Sequence, residues 1–339
     1  MTSLMILGEA WGEAEERERA PFVGPSGYEL TRMLGEAGIH RADCFLTNVF
    51  NFRPNQANDV LGLCGPRATG LIGYPALAKS SYVRAEFGPE LERLQHELIT
   101  INPNLVLALG NTALWALCGV TGISKRRGTI FTSTHTVTGF KVLPTYHPAA
   151  VLRAWDLRPV TVLDLRKAAR QREFPEVVRP ARSIWIEPDL ADCEQFLVDH
   201  ILPCTRLSVD IETVGTQITC IGFAPTTSIA LVVPFTDHRR TRGSYWPTFS
   251  DEMAAWDYVR RVLDLPCGKT FQNGLYDISF LWRSYGLRVR NPEHDTMLLH
   301  HALQPESPKG LDFLGSVYTE EASWKLMRPR GKQTIKRDE

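Results

Sequence analysis

The sequence lacks three features that would assign it quickly: a long apolar run, a paired-cysteine motif and a net charge. No apolar run reaches the ~18 residues of a membrane-spanning helix. The seven cysteines form no C-x-x-C pair and no metal-ligand spacing, so they are predicted to be reduced and mostly buried. Because 38 basic residues balance 38 acidic ones, charge alone does not indicate a nucleic-acid partner.

Two further absences concern targeting and charge clustering. The opening MTSLMILGEAWGE has no basic stretch and soon becomes acidic, so it is not expected to be a secretory signal. Together with the cysteine usage, this predicts a cytoplasmic protein. One basic run, RPRGKQTIKR (328–337), is interpreted as solvated surface charge when taken alone.

Hydrophobic patterning predicts two α/β domains, as expected for a chain of 339 residues. In residues 1–172, short apolar runs alternate with helical periodicity, which predicts a doubly wound, mostly parallel sheet. Residues 173–183 carry two prolines and alternating charge and are predicted to be a linker. In 184–339, closely spaced strands, expected to form an antiparallel meander beginning at SIWIE, precede helices, which predicts a mixed α/β domain. The long connection 54–89 is predicted to be irregular.

Two acids stand in the strand-like run LSVDIETVG (207–215). Side chains two apart on a strand share a face, so Asp210 and Glu212 should point the same way. If that strand is buried, like charges on one face need a cation between them. A third acid, Asp277, follows Asn273 by four residues in FQNGLYDISFLW, and both are predicted to lie on one helix face.

The combination of D-x-E on a strand and N-x-x-x-D on a helix resembles the proofreading 3′–5′ exonucleases of the ribonuclease-H-like fold, nearest those of family A DNA polymerases. The segment HDTMLLHHALQPESPKGLDFLGSVY (294–318) adds to the resemblance, which covers about 184–325. It implies that Asp210, Glu212 and Asp277 bind Mg²⁺ or Mn²⁺ and that Asn273 contacts DNA. The family's last motif, Y-x-x-x-D, is missing, so the domain is expected to lack its last helix, which a polymerase or a downstream polypeptide would supply. The helix ending near Tyr318 and the run 328–337 would then form an exposed docking edge.

Three stretches of the first half carry a second resemblance. In order, they are GEAWGEAEE with PFVGPSG (8–27), TNVFNFRP (47–54) and PTYHPAAVLR (144–153). They resemble the signature motifs of the uracil-DNA glycosylase superfamily, nearest the family 4 type, over about 1–170. The resemblance implies that Glu9 and Ala10 line a uracil pocket, Phe22 stacks on the flipped base and Asn48 pairs with its amide edge. His147 would donate to the uracil oxygen on which charge develops.

The helix start at Ser26 and Gly27 is predicted to hold DNA phosphate through free N–H groups, and the same resemblance implies that residues 148–153, ending at Arg153, form a loop that presses into the duplex. Two departures from the family are visible. Trp11 stands where the family has proline, which predicts a narrower pocket. The four cysteines that hold an iron–sulfur cluster in family 4 are not matched, so no cluster is expected.

The order of the two domains resembles the N-terminal portion of certain bacteriophage DNA polymerases. The sequence therefore predicts a replication or repair protein that acts on single-stranded or uracil-containing DNA. With the exonuclease motif incomplete, His147, Asn48 and Glu9 make glycosylase activity the favoured reaction of this chain alone. The alternative is a catalytically weak DNA-binding accessory module of a phage polymerase.

Overall fold

The structure is a computed structural model that describes residues 2–55, 57–241 and 243–320. The described residues divide into two compact units, 2–179 with 312–320 and 180–311. The predicted boundaries at 172 and 184 remain predictions. The basic segment 328–337 lies outside the described residues.

The first unit is built on a mostly parallel sheet with helices on both faces, as predicted. Its strands are β1 (Leu4–Ala10), β2 (Cys44–Phe50), β3 (Cys64–Gly65), β4 (Tyr82–Val83), β5 (Leu105–Leu109), β6 (Phe131–Thr132) and β7 (Lys141–Thr145). The sheet order is β2-β1-β5-β7-β6, in which only the β6–β7 pairing is antiparallel. Its helices are α1 (Glu13–Glu18), α2 (Pro25–Glu36), α3 (Gly88–Ile101), α4 (Gly110–Cys118), α5 (Ile123–Arg126), α6 (Pro148–Arg153) and α7 (Arg158–Gln171).

Successive side chains of a strand point to opposite faces of the sheet, so this unit has a hydrophobic core on each face. On one face, Met5 and Leu7 of β1 pack with α3 and α4 around the buried Trp115. On the other, Leu4 and Ile6 pack with α2 and α7. The connection 54–89, predicted to be irregular, contains the β3–β4 hairpin and places side chains such as Val60 and Val83 in the core. It is therefore a packed part of the unit.

The second unit contains the strands β8 (Ser183–Trp185), β9 (Arg206–Val214), β10 (Gln217–Ala224), β11 (Ile229–Pro234), β12 (Gly268–Phe271) and β13 (Pro292–Asp295). Its sheet order is β13-β12-β9-β10-β11-β8. Strands β9, β10 and β11 form the predicted antiparallel meander, but β8 pairs parallel to β11, so the expectation that the meander begins at SIWIE is wrong. The helices are α8 (Leu190–Phe196), followed by a π-helical turn (Leu197–Ile201), α9 (Phe249–Leu263), α10 (Gly274–Tyr285) and α11 (Thr296–Leu303). The mixed α/β class is confirmed.

The last described helix, α12 (Leu311–Tyr318), differs from the expected exposed docking edge. Its residues from Asp312 onward group with the first unit, and Leu314 and Ser316 are buried. In the described part of the chain, no helix is long and apolar enough to cross a bilayer.

The cysteines also differ from expectation. All seven are free, but only Cys118 and Cys193 are buried, whereas the other five are partly exposed. The prediction of mostly buried thiols is therefore wrong.

Candidate functional site

A cavity of about 390 Å³ opens in the first unit at the carboxyl ends of its parallel strands. This volume lies within the range typical of ligand sites, ~300–1,000 Å³, so Trp11, which lines it, does not close it. The predicted residues that line the cavity are Glu9, Ala10, Phe22, Ser26, Asn48, His147 and Arg153. These side chains come from β1, α2, β2, α6 and the connections beside them, so residues far apart in the sequence meet at one edge of the sheet.

The loop before α2 fixes Phe22 at the wall of this cavity. Phe22 has a φ of +56°, a left-handed conformation that a bulky residue adopts only under constraint. Arg41 donates to the Phe22 carbonyl at 2.9 Å and to the Pro21 carbonyl at 3.2 Å. Buried Glu15 accepts from the amides of Val23 and Gly24 at 3.1 and 2.9 Å. These bonds on both sides stabilise the strained backbone at Phe22.

Gly8 of β1 explains how two of the predicted residues come so close. Its partner across the parallel ladder is Asn48 of β2. A Cβ at Gly8 would collide with the amide oxygen of Asn48 and with the ring of Phe22. Asn48 itself is buried, and Arg93 donates to its carbonyl at 2.8 Å. The side-chain amide of Asn48 and the ring of Phe22 therefore both lie against Gly8.

His147 is both the N-cap of α6 and a wall of the cavity. Its Nδ1 accepts from the Ala149 amide at 3.2 Å, which leaves Nε2 to carry the proton of the neutral ring. Desolvation in the pocket, with a smaller contribution from Arg153, lowers the pKa of His147 to about 4. At neutral pH the ring is therefore an uncharged hydrogen-bond donor.

Glu9 ends β1 with its carboxylate bonded to a residue that the sequence did not indicate. The buried hydroxyl of Thr112, on α4, donates to Glu9 Oε2. Burial raises the pKa of Glu9, whereas the Thr112 hydrogen bond and Arg153 lower it and Asp59 raises it. The carboxyl therefore titrates above its ordinary range.

The predicted DNA contacts are placed in different ways. Ser26 and Arg153 line the cavity, but Pro148–Arg153 is the helix α6, so the prediction of a loop there is wrong. The backbone amide of Gly27 already donates to the Gly24 carbonyl at 2.9 Å.

The Trp11 indole nitrogen is buried and has no partner among the described residues.

Sequence reasoning missed the residues that hold the pocket in shape. Glu15 and Arg41 act on backbone groups, and Thr112 lies 103 positions from Glu9. The acidic run EAEE (13–16) gave a weak signal for Glu15, because an acid amid exposed acids can equally be surface charge. Nothing in the sequence connects Thr112 to Glu9.

The acids of the second unit come together only in part. Asp210 and Glu212 share a face of β9, as predicted, but that face is exposed. The supposed burial, which would have required a cation, is therefore wrong. Asp277 is buried on α10 and accepts from the Ile211 amide at 3.1 Å, between the two strand acids. Burial, followed by the effect of nearby Asp210, raises the pKa of Asp277 to about 6.

Asn273 is not on the helix face expected for it. It is the N-cap of α10 and has a φ of +60°. Its backbone amide donates to the Asp295 carboxylate at 3.0 Å. Asn273 and Asp277 are four residues apart, but the helix begins only at Gly274. The spacing therefore does not place both side chains on one helix face.

Carboxylates are the donors that Mg²⁺ and Mn²⁺ prefer, so the chemistry of Asp210, Glu212 and Asp277 suits those ions. In residues 2–55, 57–241 and 243–320, no group of three or more His, Cys, Asp or Glu side chains is arranged to hold a metal ion.

Comparison with known structures gives weak similarity for this protein. The Mn-soaked crystal structure of the EXD2 exonuclease domain aligns with a TM-score of 0.26 and 18% identity, covering 36% of this chain and 58% of that one. The chain thus spans less than two thirds of that structure.

The first unit matches known proteins more strongly. The type-4 uracil-DNA glycosylase of Saccharolobus solfataricus is 34% identical over 172 residues, covering 48% of this chain and 68% of the relative. That of Thermotoga maritima is 32% identical over 171 residues, covering 49% and 76%. The family model described as "Uracil DNA glycosylase superfamily" matches residues 1–173. The chain therefore belongs to the uracil DNA glycosylase superfamily.

Proposed function

We propose that the first unit is a DNA-repair enzyme that excises uracil from DNA by hydrolysing its N-glycosidic bond. The observation that carries this proposal is the meeting of Glu9, Phe22, Asn48 and His147 around one cavity large enough for a flipped base. The similarity of residues 1–173 to type-4 uracil-DNA glycosylases supports it.

Each polar group has a role that follows from its state. When the bond between N1 of uracil and C1′ of the sugar breaks, the electron pair stays on uracil, and charge develops on its oxygen. The neutral His147 ring donates from Nε2 to that oxygen. The Asn48 amide has a donor and an acceptor for the polar edge of uracil, and Phe22 stacks on its face. The Glu9 carboxylate orients the water that attacks C1′ and accepts the proton that this water loses.

The test is release of free uracil from a labelled oligonucleotide in the presence of a chelator. We expect release by the wild type and little release by His147→Ala. Binding of uracil-containing DNA without release would favour the alternative, a recognition module that serves a DNA polymerase. No discrimination of uracil in either binding or release would exclude both.

A second candidate function, metal-dependent 3′–5′ cleavage, is favoured by one observation: Asp277 is bonded to the backbone of β9 between Asp210 and Glu212. We propose that this acidic cluster binds Mg²⁺ or Mn²⁺ weakly and, because no complete metal site is formed among the described residues, that 3′–5′ digestion by this chain is feeble. Digestion of 3′-labelled single-stranded DNA with and without Mn²⁺ tests it. Robust digestion that is lost in Asp277→Asn would show a competent site.

A further inference from the structure

Helix α12 is distant in sequence from the family-matched segment 1–173 but packs within the same unit. The chain leaves the first unit after Arg179 and rejoins it at Asp312. Leu314 and Ser316 of α12 are 5% and 7% exposed, so this face of the helix is covered by protein. The groups that cover Ser316 are ionic, which is unusual for a buried helix face.

A buried ion pair lies under the helix. Arg127 and Asp164 are 4% and 1% exposed and form a two-pronged salt bridge, with Arg127 Nε donating to Asp164 Oδ2 at 2.7 Å. The remaining Arg127 nitrogen, Nη1, donates to Ser316 Oγ at 3.0 Å. The guanidinium also lies 5.3 Å from the centre of the Phe313 ring. The helix thus supplies groups that the buried arginine needs.

Lys167 binds the carboxyl end of the same helix. Its ammonium, on a side chain that is 2% exposed, donates to the carbonyls of Ser316 and Thr319, each at 2.6 Å, and to that of Gly128 at 2.8 Å. An ammonium has three donors, and all three are used. The last carbonyls of a helix lack intrahelical partners and carry partial negative charge, so a cation there is favourable.

The backbone of the first unit is shaped for this contact. Gly128 has a φ of +71°, and a Cβ on it would lie 3.1 Å from the Ser316 carbonyl oxygen. Glycine is therefore required both by the local conformation and by the close approach of α12.

The same hydrogen-bond network includes the last residue of β7, the strand that precedes His147 in the sequence. Asp164 Oδ2 accepts from the hydroxyl of Thr145 at 2.6 Å. Thr145 is the last residue of β7 and lies two residues before His147. A chain of direct contacts thus runs from Ser316 through Arg127 and Asp164 to the end of β7.

We propose that the surface formed by Arg127, Asp164 and Lys167 is a docking site whose occupant is α12, and that docking completes the glycosylase unit and holds the end of β7, with His147, in place. Without the helix, Lys167 would lose two of its three acceptors and the buried ion pair would be opened to water. The first unit then depends on residues that follow the second unit in the sequence. The dependence of His147 on docking rests on the proposed glycosylase function, whereas docking itself does not.

The experiment is hydrogen exchange on the full chain, with uracil excision measured in parallel. Lys167→Met removes the donations to α12, and Ser316→Leu wedges the helix away without altering the segment 1–173. Arg166→Met, an exposed position on α7, is the matched control. We expect the wild-type amides of 315–319 to be protected. In both test variants we expect exchange at 312–319 and 141–145 to accelerate roughly tenfold or more and excision to fall, while the control is unchanged.

Two results would overturn the proposal. One is wild-type exchange at 315–319 as fast as in an unstructured peptide. The other is release of α12 in a variant with no change in exchange at 141–145. If the wild type released no uracil, the proposed function would fail, and the exchange data would still decide whether α12 docks.

Discussion

The ring of Phe22 stacks on the ring of His147, with centroids 6.1 Å apart and 29° between their planes. The stack joins a residue in a left-handed conformation to a neutral imidazole, and both rings line the cavity. Arg41 holds the Phe22 carbonyl and Glu15 holds the amide of the next residue, Val23, so the backbone that carries the ring is fixed by protein groups. Such preorganisation is what makes a donor effective when charge develops in a transition state.

Replacement of His147 tests that donor. His147→Ala removes the hydrogen bond to the leaving uracil, and loss of one such donor typically costs ~10²–10³ in rate. We expect a fall of that size in single-turnover excision. His40→Ala, an exposed histidine outside the cavity, is the control and should retain the wild-type rate. Equal rates for both variants would remove His147 from the mechanism.

Replacement of Asn48 should affect selectivity. The buried Asn48 side chain lines the cavity, so Asn48→Ala should lower the ratio of kcat/KM for uracil over other bases by roughly tenfold or more. Affinity for DNA with an abasic site should not change, because no base is present to contact residue 48. An unchanged base preference would contradict the assignment.

The pH dependence of excision should reflect the pKa of the Glu9 carboxyl and its hydrogen bond from Thr112. Burial raises the pKa of Glu9 above its ordinary value of 4.5, so excision that needs the carboxylate should rise with pH through that raised pKa. Thr112→Val removes a hydrogen bond that lowers the pKa, and the inflection should move to higher pH. Thr112→Ser keeps a hydroxyl and should restore the wild-type profile.

The pKa of His147 is lowered to about 4, so its ring stays neutral at neutral pH and above. Glu9→Gln should abolish the Glu9 inflection and reduce the rate. The stability effect has the opposite sign to activity: since the folded pKa of Glu9 is raised, its contribution to stability is greatest at low pH and is lost as pH rises through that pKa. A Thr112→Val profile identical to that of the wild type would show that the hydrogen bond does not tune Glu9.

Metal binding by the second unit is a separate prediction. Carboxylates that repel one another are stabilised by a cation, so Mn²⁺ should raise the Tm of that unit by mass action. Asp210→Ala with Glu212→Ala should abolish the rise, whereas Asp257→Ala, an exposed acid on α9, should not. Calorimetry at increasing Mn²⁺ measures it, and an undiminished rise in the double variant would place the ion elsewhere.

Local patterns predicted the strands well. The run CFLTNVF became β2 at Cys44–Phe50, and LVLAL became β5 at Leu105–Leu109, because short apolar runs between turn signals can bury both faces in a parallel sheet. The motif residues Glu9, Asn48 and His147 meet because the carboxyl ends of neighbouring parallel strands share one edge.

Tertiary contacts could not be predicted in this way. The sheet partner of β8, the cap position of Asn273 and the docking of α12 depend on groups distant in sequence. Burial of Lys167 was equally invisible, because a lysine on a helix is normally exposed, and only the carbonyls of another helix satisfy it here.

The central claim is most directly tested by single-turnover release of uracil from a labelled single-stranded oligonucleotide by the full chain in excess chelator. The account predicts free uracil and an alkali-labile site in the DNA, at a rate ~10²–10³ lower in His147→Ala. Wild-type protein that binds the oligonucleotide but releases no uracil, or His147→Ala that releases it at the wild-type rate, would contradict it.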